Sequence, residues 1–180
     1  MNNWKSRDLS WRNTIIIAGT LVAIAGVYWY FCWGIPTTVL LVRHADRQSG
    51  ADALTAAGTA RAQVLAHLME KSGISAIYTS EAARTQQTAA PTASLLGITP
   101  AVAASSDVAN LVSTIRTNRY GQKVLVVGHS NTVPQVIAQF GGPVVTIGSN
   151  EYDNLYVLTL CRCRWKSVGL TNLQYGAASP

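Results

Sequence analysis

The residues of this chain best suited to chemistry are two histidines and two arginines near the ends of strand-like runs. His44 follows an apolar run that ends in Arg43, His129 follows a second run over 124–128, and Arg84 comes shortly after a third. If parallel strands bring these points together, two imidazoles and two guanidiniums face one anion, because the carboxyl ends of parallel strands meet at one edge of a sheet. Such an arrangement is typical of a phosphoryl-transfer site.

The chemistry of these four side chains matches a phosphoryl group. The group carries close to two negative charges at neutral pH, which Arg43 and Arg84 can balance while they hold its oxygens in bidentate hydrogen bonds. An imidazole has an ordinary pKa near 6.5, so a neutral His44 can attack phosphorus and form a phosphohistidine. His129 would then stabilise the equatorial oxygens in the transition state, and water would hydrolyse the intermediate.

The elements that must position these residues alternate between strand and helix. Thr55 and Asp107 are residues of the type that caps helices, and Pro91 is expected to kink or shift the helix that contains it. The alternation predicts a three-layer α/β/α sandwich with a mainly parallel sheet. The predicted strands cover 37–42, 76–79 and 123–127, the helices 56–72, from 81, from 108 and 133–140, and a terminal hairpin 154–160 with 164–170.

The N-terminal segment has the composition of a transmembrane helix. Residues 14–33 are 20 in number and contain no charge, and a helix of that length covers the roughly 30 Å hydrocarbon core of a bilayer. Three bases against one acid precede the span, so the positive-inside rule keeps tail 1–13 in the cytoplasm and places domain 34–180 outside, in the periplasm if the source is bacterial. A cleaved signal peptide is the alternative, and it fits less well because the run is long and residues 31–35 lack a small-x-small cleavage pattern.

Charge and cysteine content exclude several function classes. The formal net charge of +6 is spread over the chain without a polybasic tract, which disfavours nucleic acid as a partner and suits an anionic substrate or a lipid surface. Cys32, Cys161 and Cys163 have no metal-ligand spacing and make no disulfide framework, so we expect no metal site and no cofactor.

His67 lies mid-helix outside any motif and is interpreted as structural. An exposed helix face accounts for Arg116, Arg119 and Lys123, with a basic rim that steers phosphate as the alternative.

Several blocks resemble the histidine phosphatase superfamily, also called phosphoglycerate mutase-like, over roughly residues 37–176. The triplet Arg43-His44-Ala45 is similar to the family signature, and the later blocks follow in the family order. These blocks are 54–62, 78–89, 127–132 and 152–156.

The resemblance implies roles for individual residues. It implies His44 as the nucleophile, Arg43 and Arg84 as phosphate clamps, and His129 as the second histidine of the pocket. Many relatives have a carboxylate proton donor between the second arginine and the second histidine, where this chain has only Asp107. Capping a helix explains Asp107 equally well, and Asp46 is the other candidate donor.

The resemblance also implies the activity, which is hydrolysis of phosphomonoesters or of phosphohistidine. Some small phosphohistidine phosphatases of this family lack a clear acid, because a P–N bond with a good leaving group needs less protonation. The candidate substrates are envelope sugar phosphates, phosphorylated proteins and small metabolites. Two alternatives stay open: a non-catalytic, membrane-tethered phosphate-binding or scaffold module, and a phosphomutase, which is less favoured because the chain is short.

Overall fold

The computed structural model describes residues 4–32, 36–161 and 168–179, and within them eleven helices and strands. Their bounds are α1 Trp4–Cys32, β1 Thr37–Arg43, α2 Ala56–Met69, β2 Ile74–Thr79, α3 Ala83–Leu96, β3 Ala101–Val102, α4 Val108–Asn118, β4 Lys123–Gly128, α5 Thr132–Gln139, β5 Asn154–Leu160 and β6 Val168–Gln174.

One six-stranded sheet organises the domain, in the order β3-β2-β4-β1-β5-β6. Strands β1 to β4 pair in parallel, and β5 pairs antiparallel with both β1 and β6. The central pair is β1 and β4, in a register that runs from Thr38 opposite Lys123 to Arg43 opposite Gly128. The predicted mainly parallel α/β fold is confirmed.

Helices cover both faces of this sheet, because alternate side chains of a buried strand point to opposite faces. On one face Val39 and Leu41 of β1 pack with apolar residues of α4 and α5. On the other face Leu40 and Val42 pack with residues of α2 and α3, among them Leu65. In β4, Val124 and Val126 likewise lie on the first face, and Leu125 and Val127 lie on the second. Two cores separated by the sheet make the three layers.

Several element bounds differ from prediction for local reasons. Helix α2 ends at Met69, before Gly73, and Gly73 with a φ of 74° forms the turn into β2. Helix α3 begins at Ala83, two residues after the predicted start, and contains Pro91. Strand β3 is only two residues long and carried no apolar pattern to predict it. Strand β6 extends beyond residue 170 to Gln174, and the predicted residues 164–167 lie outside the described ones.

Helix α1 contains a span, Trp11–Tyr30, that is long and apolar enough to cross a membrane, with a mean hydropathy of 1.5. None of this span is buried against the rest of the protein. A signal sequence near an N-terminus can also meet these criteria of length and hydropathy. The helix continues N-terminal of residue 14, into the predicted tail, and Trp33 lies outside the described residues.

Candidate active site

Three neighbouring strands end at the same edge of the sheet and deliver the predicted site residues there. Arg43 pairs with Gly128 in register, and the backbone N–H of His44 donates to the Gly128 carbonyl at 2.8 Å. Strand β2 ends beside β4, with Thr79 opposite Val127. The rings of His44 and His129 consequently lie 5.5 Å apart between centroids, in an edge-to-face arrangement.

His44 is buried and held in one ring orientation. Its Nδ1 lies 2.8 Å from the Ala45 carbonyl, which can only accept, so Nδ1 carries the proton and Nε2 keeps its lone pair. The Ala45 N–H donates to Oγ1 of Thr88 at 2.9 Å, which fixes the backbone that follows His44. Burial lowers the pKa of His44 to about 4, and the charges of Arg43 and Arg84 act in the same direction. The imidazole is therefore neutral and nucleophilic at neutral pH.

Arg43 is buried, and the backbone before β5 holds it. One terminal nitrogen donates to the Gly148 carbonyl at 2.8 Å and to the Glu151 carbonyl at 3.1 Å. The guanidinium carbon lies 4.1 Å from the centre of the Tyr152 ring, a cation–π distance. Its Nε is buried without a hydrogen-bond partner, so this donor is available to a bound anion.

Arg84 is oriented by Asp52, a residue of the loop after β1. One guanidinium nitrogen donates to Oδ1 of Asp52 at 2.7 Å, and the N–H groups of Ala83 and Arg84 donate to the same carboxylate. Asp52 thus caps α3 from outside the helix, which explains why the helix begins at Ala83. The Nε of Arg84, like that of Arg43, is buried and has no partner.

His129 lies between Arg84 and a short chain of hydroxyl groups. Its Nδ1 lies 3.3 Å from a terminal nitrogen of Arg84, and its Nε2 lies 2.9 Å from Oγ of Ser80. Ser80 in turn contacts Oγ1 of Thr85 at 2.9 Å, and Thr85 donates to the Ala82 carbonyl at 2.7 Å. Burial lowers the pKa of His129, with the charge of Arg84 as the next cause.

The assembled site carries two fixed positive charges, two neutral imidazoles and two unpartnered guanidinium N–H groups. A phosphoryl dianion would balance the charge of Arg43 and Arg84 and accept from both free Nε groups. The Nε2 lone pair of His44 supplies a nucleophile beside that anion. The four residues predicted to converge do converge, and phosphoryl transfer is the chemistry that this geometry serves.

Comparison with protein families agrees with this geometry. The sequence model of the histidine phosphatase superfamily (branch 1) matches residues 39–105, which include His44 and Arg84. Over these residues the chain is similar to the histidine phosphatase superfamily. Its structural neighbours are phosphatases and mutase-like proteins, whereas no curated protein matches it in sequence.

Three solved structures illustrate how widely this histidine phosphatase fold is shared. The protein histidine phosphatase SixA complexed with tungstate has a TM-score of 0.58 at 18% identity, covering 76% of this chain and 96% of that one. Phosphoglycerate mutase from Plasmodium falciparum has a TM-score of 0.57 at 18% identity, covering 82% of this chain and 94% of that one. Mycobacterial glucosyl-3-phosphoglycerate phosphatase has a TM-score of 0.58 at 13% identity, covering 78% of this chain and 99% of that one. These likenesses establish the fold.

Asp107 and Asp46, the two candidate proton donors, are both engaged by other groups. Asp107 accepts from the Asn110 N–H at 3.0 Å as the N-cap of α4. Asp46 forms an ion pair with the buried Arg61 at 2.7 Å. No described hydrogen bond or ion pair joins either carboxylate to a site histidine, and the assignment of Asp107 as proton donor stays a prediction.

Glu81, two residues after the end of β2, is also engaged. Its carboxylate accepts from both the N–H and the hydroxyl of Ser105, at 2.9 and 2.5 Å. These hydrogen bonds lower the pKa of Glu81 to about 2. Glu81 is ionised at neutral pH and is not a proton donor in this form.

The sequence did not reveal the residues that support the candidate site. Ser80, Thr85, Thr88 and Tyr152 all lay within blocks that resembled the family, but no role could be given to them. Asp52 carried no signal, because it stands in a polar loop 32 positions before the arginine that it orients.

The remaining chemistry-bearing residues lie apart from the site. The His67 side chain is 85% exposed on α2, 3.6 Å from Glu70, so it has no place in the core. Cys161 is free and exposed, while Cys163 lies outside the described residues. Among the described residues, no group of three or more His, Cys, Asp or Glu side chains could hold a metal ion.

Proposed function

We propose that this chain is a membrane-anchored phosphatase that hydrolyses phosphomonoesters or phosphohistidine through a covalent phosphohistidine on His44. The single observation that carries the proposal is the 5.5 Å separation of the His44 and His129 rings, with a buried, unpartnered Nε of Arg43 and of Arg84 beside them. The binding of tungstate, a tetrahedral oxyanion, by the similar SixA supports a phosphoryl group as the ligand.

In the first step, the Nε2 lone pair of His44 attacks phosphorus. An N–P bond forms, and the bond from phosphorus to the leaving oxygen breaks with its electron pair going to that oxygen. The bound dianion opposes the lowering of the pKa of His129 and draws the Arg84 nitrogen away from Nδ1. Nδ1 then takes a proton from solvent and donates to an equatorial oxygen. The leaving oxygen takes a proton from the donor, for which the resemblance implies Asp107.

In the second step, water attacks phosphorus from the side that the leaving group vacated. The N–P bond breaks, its electron pair returns to Nε2 of His44, and the proton of the water passes to the group that gave up its proton in the first step. Inorganic phosphate leaves, and His44 is again neutral. Arg43 and Arg84 hold the same three oxygens throughout, so both half-reactions use one pocket.

The test is turnover by the full chain in detergent micelles. The panel contains p-nitrophenyl phosphate, an alkyl phosphate and a phosphohistidine peptide, and acid quenching traps any phosphate bound to the protein. His44→Ala should abolish both turnover and the trapped, acid-labile phosphate. His67→Ala is the matched control, because it removes an exposed imidazole and should leave both unchanged. Full labelling of His44→Ala would remove the proposed mechanism.

The same assay separates the alternatives. A non-catalytic phosphate-binding or scaffold module would bind vanadate but release no phosphate from any substrate. A phosphomutase would transfer the label to a second hydroxyl of a sugar or glycerate phosphate faster than it released inorganic phosphate. Net release with a trapped intermediate supports the phosphatase.

The state of the carboxylates favours the phosphohistidine arm of this proposal. At the site edge, Asp46, Asp52, Glu81 and Asp107 each accept hydrogen bonds from a fixed partner. A P–N substrate whose leaving imidazole departs with little protonation needs least help from such groups. A kcat/KM for the phosphohistidine peptide at least tenfold above that for the alkyl phosphate is expected, and the reverse order would select ester substrates.

The anchor and its orientation are part of the proposal. Residues 14–33 would cross the membrane once, with 1–13 in the cytoplasm and 34–180 outside it, and phosphorylated metabolites, envelope sugars or proteins would be the substrates. The support is the apolar, unburied helix and the excess of bases before it. Protease added to sealed spheroplasts should degrade the domain. Protection of the domain until lysis would contradict this orientation, and a chain that alkali extracts from the membrane would contradict the anchor.

A further inference from the structure

The two ends of the sheet differ in charge. Seven acids follow residue 36, and six of them lie at the carboxyl end of the parallel strands, in the loops and helix starts around the candidate site. The seventh, Glu70, lies at the opposite end, where the described bases outnumber it. These six acids are Asp46, Asp52, Glu81, Asp107, Glu151 and Asp153.

Four bases form what we term the basic amino-end surface: Lys71, Arg116, Arg119 and Lys123. Lys123 stands opposite Thr38 at the start of β1 and donates to the Ser72 carbonyl at 2.7 Å. The Arg119 carbonyl accepts from the Thr37 hydroxyl at 3.5 Å. Lys71, Arg116 and Lys123 are exposed, and Arg119 is half-buried. The surface therefore surrounds the point at which the chain enters the sheet.

Helix termini explain part of this separation of charge. The helices end at the amino end of the sheet, where their dipoles favour cations, and Arg116 stands in the last turn of α4. Lys123 begins a strand and receives no such benefit. What this basic surface can bind depends on where it lies relative to α1.

The connection from α1 to β1 is too short to let this surface move far from the bilayer. Helix α1 ends at Cys32 and β1 begins at Thr37, and five peptide units reach at most about 18 Å in any conformation. The bases around Thr37 are consequently within reach of the headgroup region of any membrane that α1 crosses. The site lies at the other end of β1, about 20 Å from Thr37 along a seven-residue strand.

We infer that the basic amino-end surface docks on anionic lipid headgroups and holds the domain with its catalytic pocket facing away from the membrane. This inference rests on the anchor of the proposed function and is independent of the catalytic mechanism. It places the bases Arg116, Arg119 and Lys123 at the membrane rather than at the rim of the phosphate pocket. It also defines the substrate as water-soluble, because a lipid headgroup in the same bilayer would lie at the wrong end of the domain.

Hydrogen exchange on the full chain in lipid vesicles tests the inference. One set of vesicles is phosphatidylcholine alone, and the other contains about 30 mol % phosphatidylglycerol. Exchange in the segments 70–74 and 116–123 should be several-fold slower in the anionic vesicles, while exchange in 80–85 at the carboxyl end should not change. At about 1 M salt, where the screening length is only about 3 Å, the difference should disappear.

Charge reversal supplies the matched comparison. Lys71→Glu with Lys123→Glu should abolish the protection, because each base near an anionic surface favours the docked state about fivefold. Arg47→Glu changes the charge of an exposed base at the other end of the sheet and should keep the protection. If the reversed chain fails to fold, the lipid and salt comparisons on the wild-type chain decide.

The outcomes separate this inference from the anchor. Equal exchange in the two kinds of vesicle, with the chain floating with both, overturns the docking surface and leaves the anchor in place. A chain that does not float with either overturns both. No readout uses turnover, so a failed phosphatase assay would leave the result unaffected.

Discussion

Arg84 and His129 together define a tautomer. A guanidinium can only donate, so the 3.3 Å contact from Arg84 requires a lone pair on Nδ1 of the neutral His129, and the proton must lie on Nε2. Nε2–H then donates to Ser80, Ser80 donates to Thr85, and Thr85 donates to the Ala82 carbonyl. Both hydroxyl groups of this hydrogen-bond network have a fixed direction, and the lone pair of Nδ1 faces Arg84.

Removal of the Ser80 hydroxyl should release this tautomer. Ser80→Ala leaves Nε2–H of a half-buried ring without its partner, and we expect kcat to fall about tenfold, the usual cost of one neutral hydrogen bond. The ¹⁵N chemical shifts of His129 should change from a single neutral tautomer to a mixture. Ser105→Ala is the control, since that hydroxyl contacts Glu81 at the same edge. An unchanged His129 spectrum in Ser80→Ala would show that Arg84 alone fixes the ring.

The pKa of His44 should be visible in a titration of the free protein. Because burial lowers the pKa to about 4, the ring should stay neutral down to pH 5, whereas an unfolded histidine titrates near 6.5. NMR of the C2 proton, assigned by its loss in His44→Gln, provides the measurement. A midpoint near 6.5 would mean that the folded protein does not exclude the charged ring.

The same shift of the His44 pKa predicts how stability depends on pH. The unfolded state binds a proton below about pH 6.5 and the folded state only near pH 4, so the stabilising contribution of the neutral ring is complete above pH 6.5. It is lost as the pH falls from 6.5 through 4. The midpoint of denaturant unfolding should be measured as a function of pH for wild type and for His44→Gln. The slopes of the two curves should differ only between pH 4 and pH 6.5.

Asp52 should act on the phosphate pocket only through Arg84. Asp52→Ala frees the guanidinium and removes the cap of α3, and we expect a three- to tenfold loss of vanadate affinity. Arg84→Ala should weaken vanadate binding more strongly, and Arg84→Lys should not restore it, because an ammonium cannot form the bidentate contact. In the Arg84→Ala background, Asp52→Ala should have no further effect on vanadate. Additive losses would mean that Asp52 acts by another route.

Asp107→Asn isolates proton donation from helix capping. Asparagine also caps helices well, so the melting temperature should change little. If Asp107 is the donor, kcat for an alkyl phosphate should fall about 100-fold, while p-nitrophenyl phosphate, whose leaving group needs no proton, should be hydrolysed at nearly the parent rate. Equal rates of variant and parent on both substrates would remove Asp107 from the mechanism.

Gly58 holds the loop after the nucleophile against α2. A Cβ at this position would clash with the backbone carbonyl of Asp46, which cannot move aside as a flexible side chain could. We expect Gly58→Ala to lower the free energy of unfolding by about 2 kcal/mol. Chemical denaturation measures this loss of unfolding free energy. Thr59→Ala, on the exposed side of the same turn, serves as the control. A loss under 0.5 kcal/mol would show that the loop relaxes easily.

The fold and the convergence of the four principal residues could be predicted because both follow from short-range patterns. A buried strand reads as an apolar run, and a polar residue at its end is placed by the parallel topology alone. His44 and His129 have this property, and Arg84 lies in the first turn of the helix that follows β2. Local capping signals were equally informative, since Thr55 and Asp107 accept from Gly58 and Asn110 as predicted.

The support around those residues could not be predicted, because it depends on loops that meet from distant parts of the chain. Asp52 reaches Arg84 across 32 positions, and the Gly148 carbonyl reaches Arg43 across 105. Neither partner lies on an element with a periodic pattern. The exposure of the His67 side chain, which the sequence led us to interpret as structural, could not be predicted either. It depends on which face of α2 meets the sheet.

The strand that receives the chain from α1 is the central one of the domain. Strand β1 has β4 on one side and β5 on the other, so it is bonded along both edges. A mechanical pull on the N-terminal segment would load both ladders in shear along their whole length, since β1 runs away from the point of attachment. Such a strand cannot be peeled off one bond at a time as an edge strand can, so the sheet should resist a pull that is applied to the start of β1.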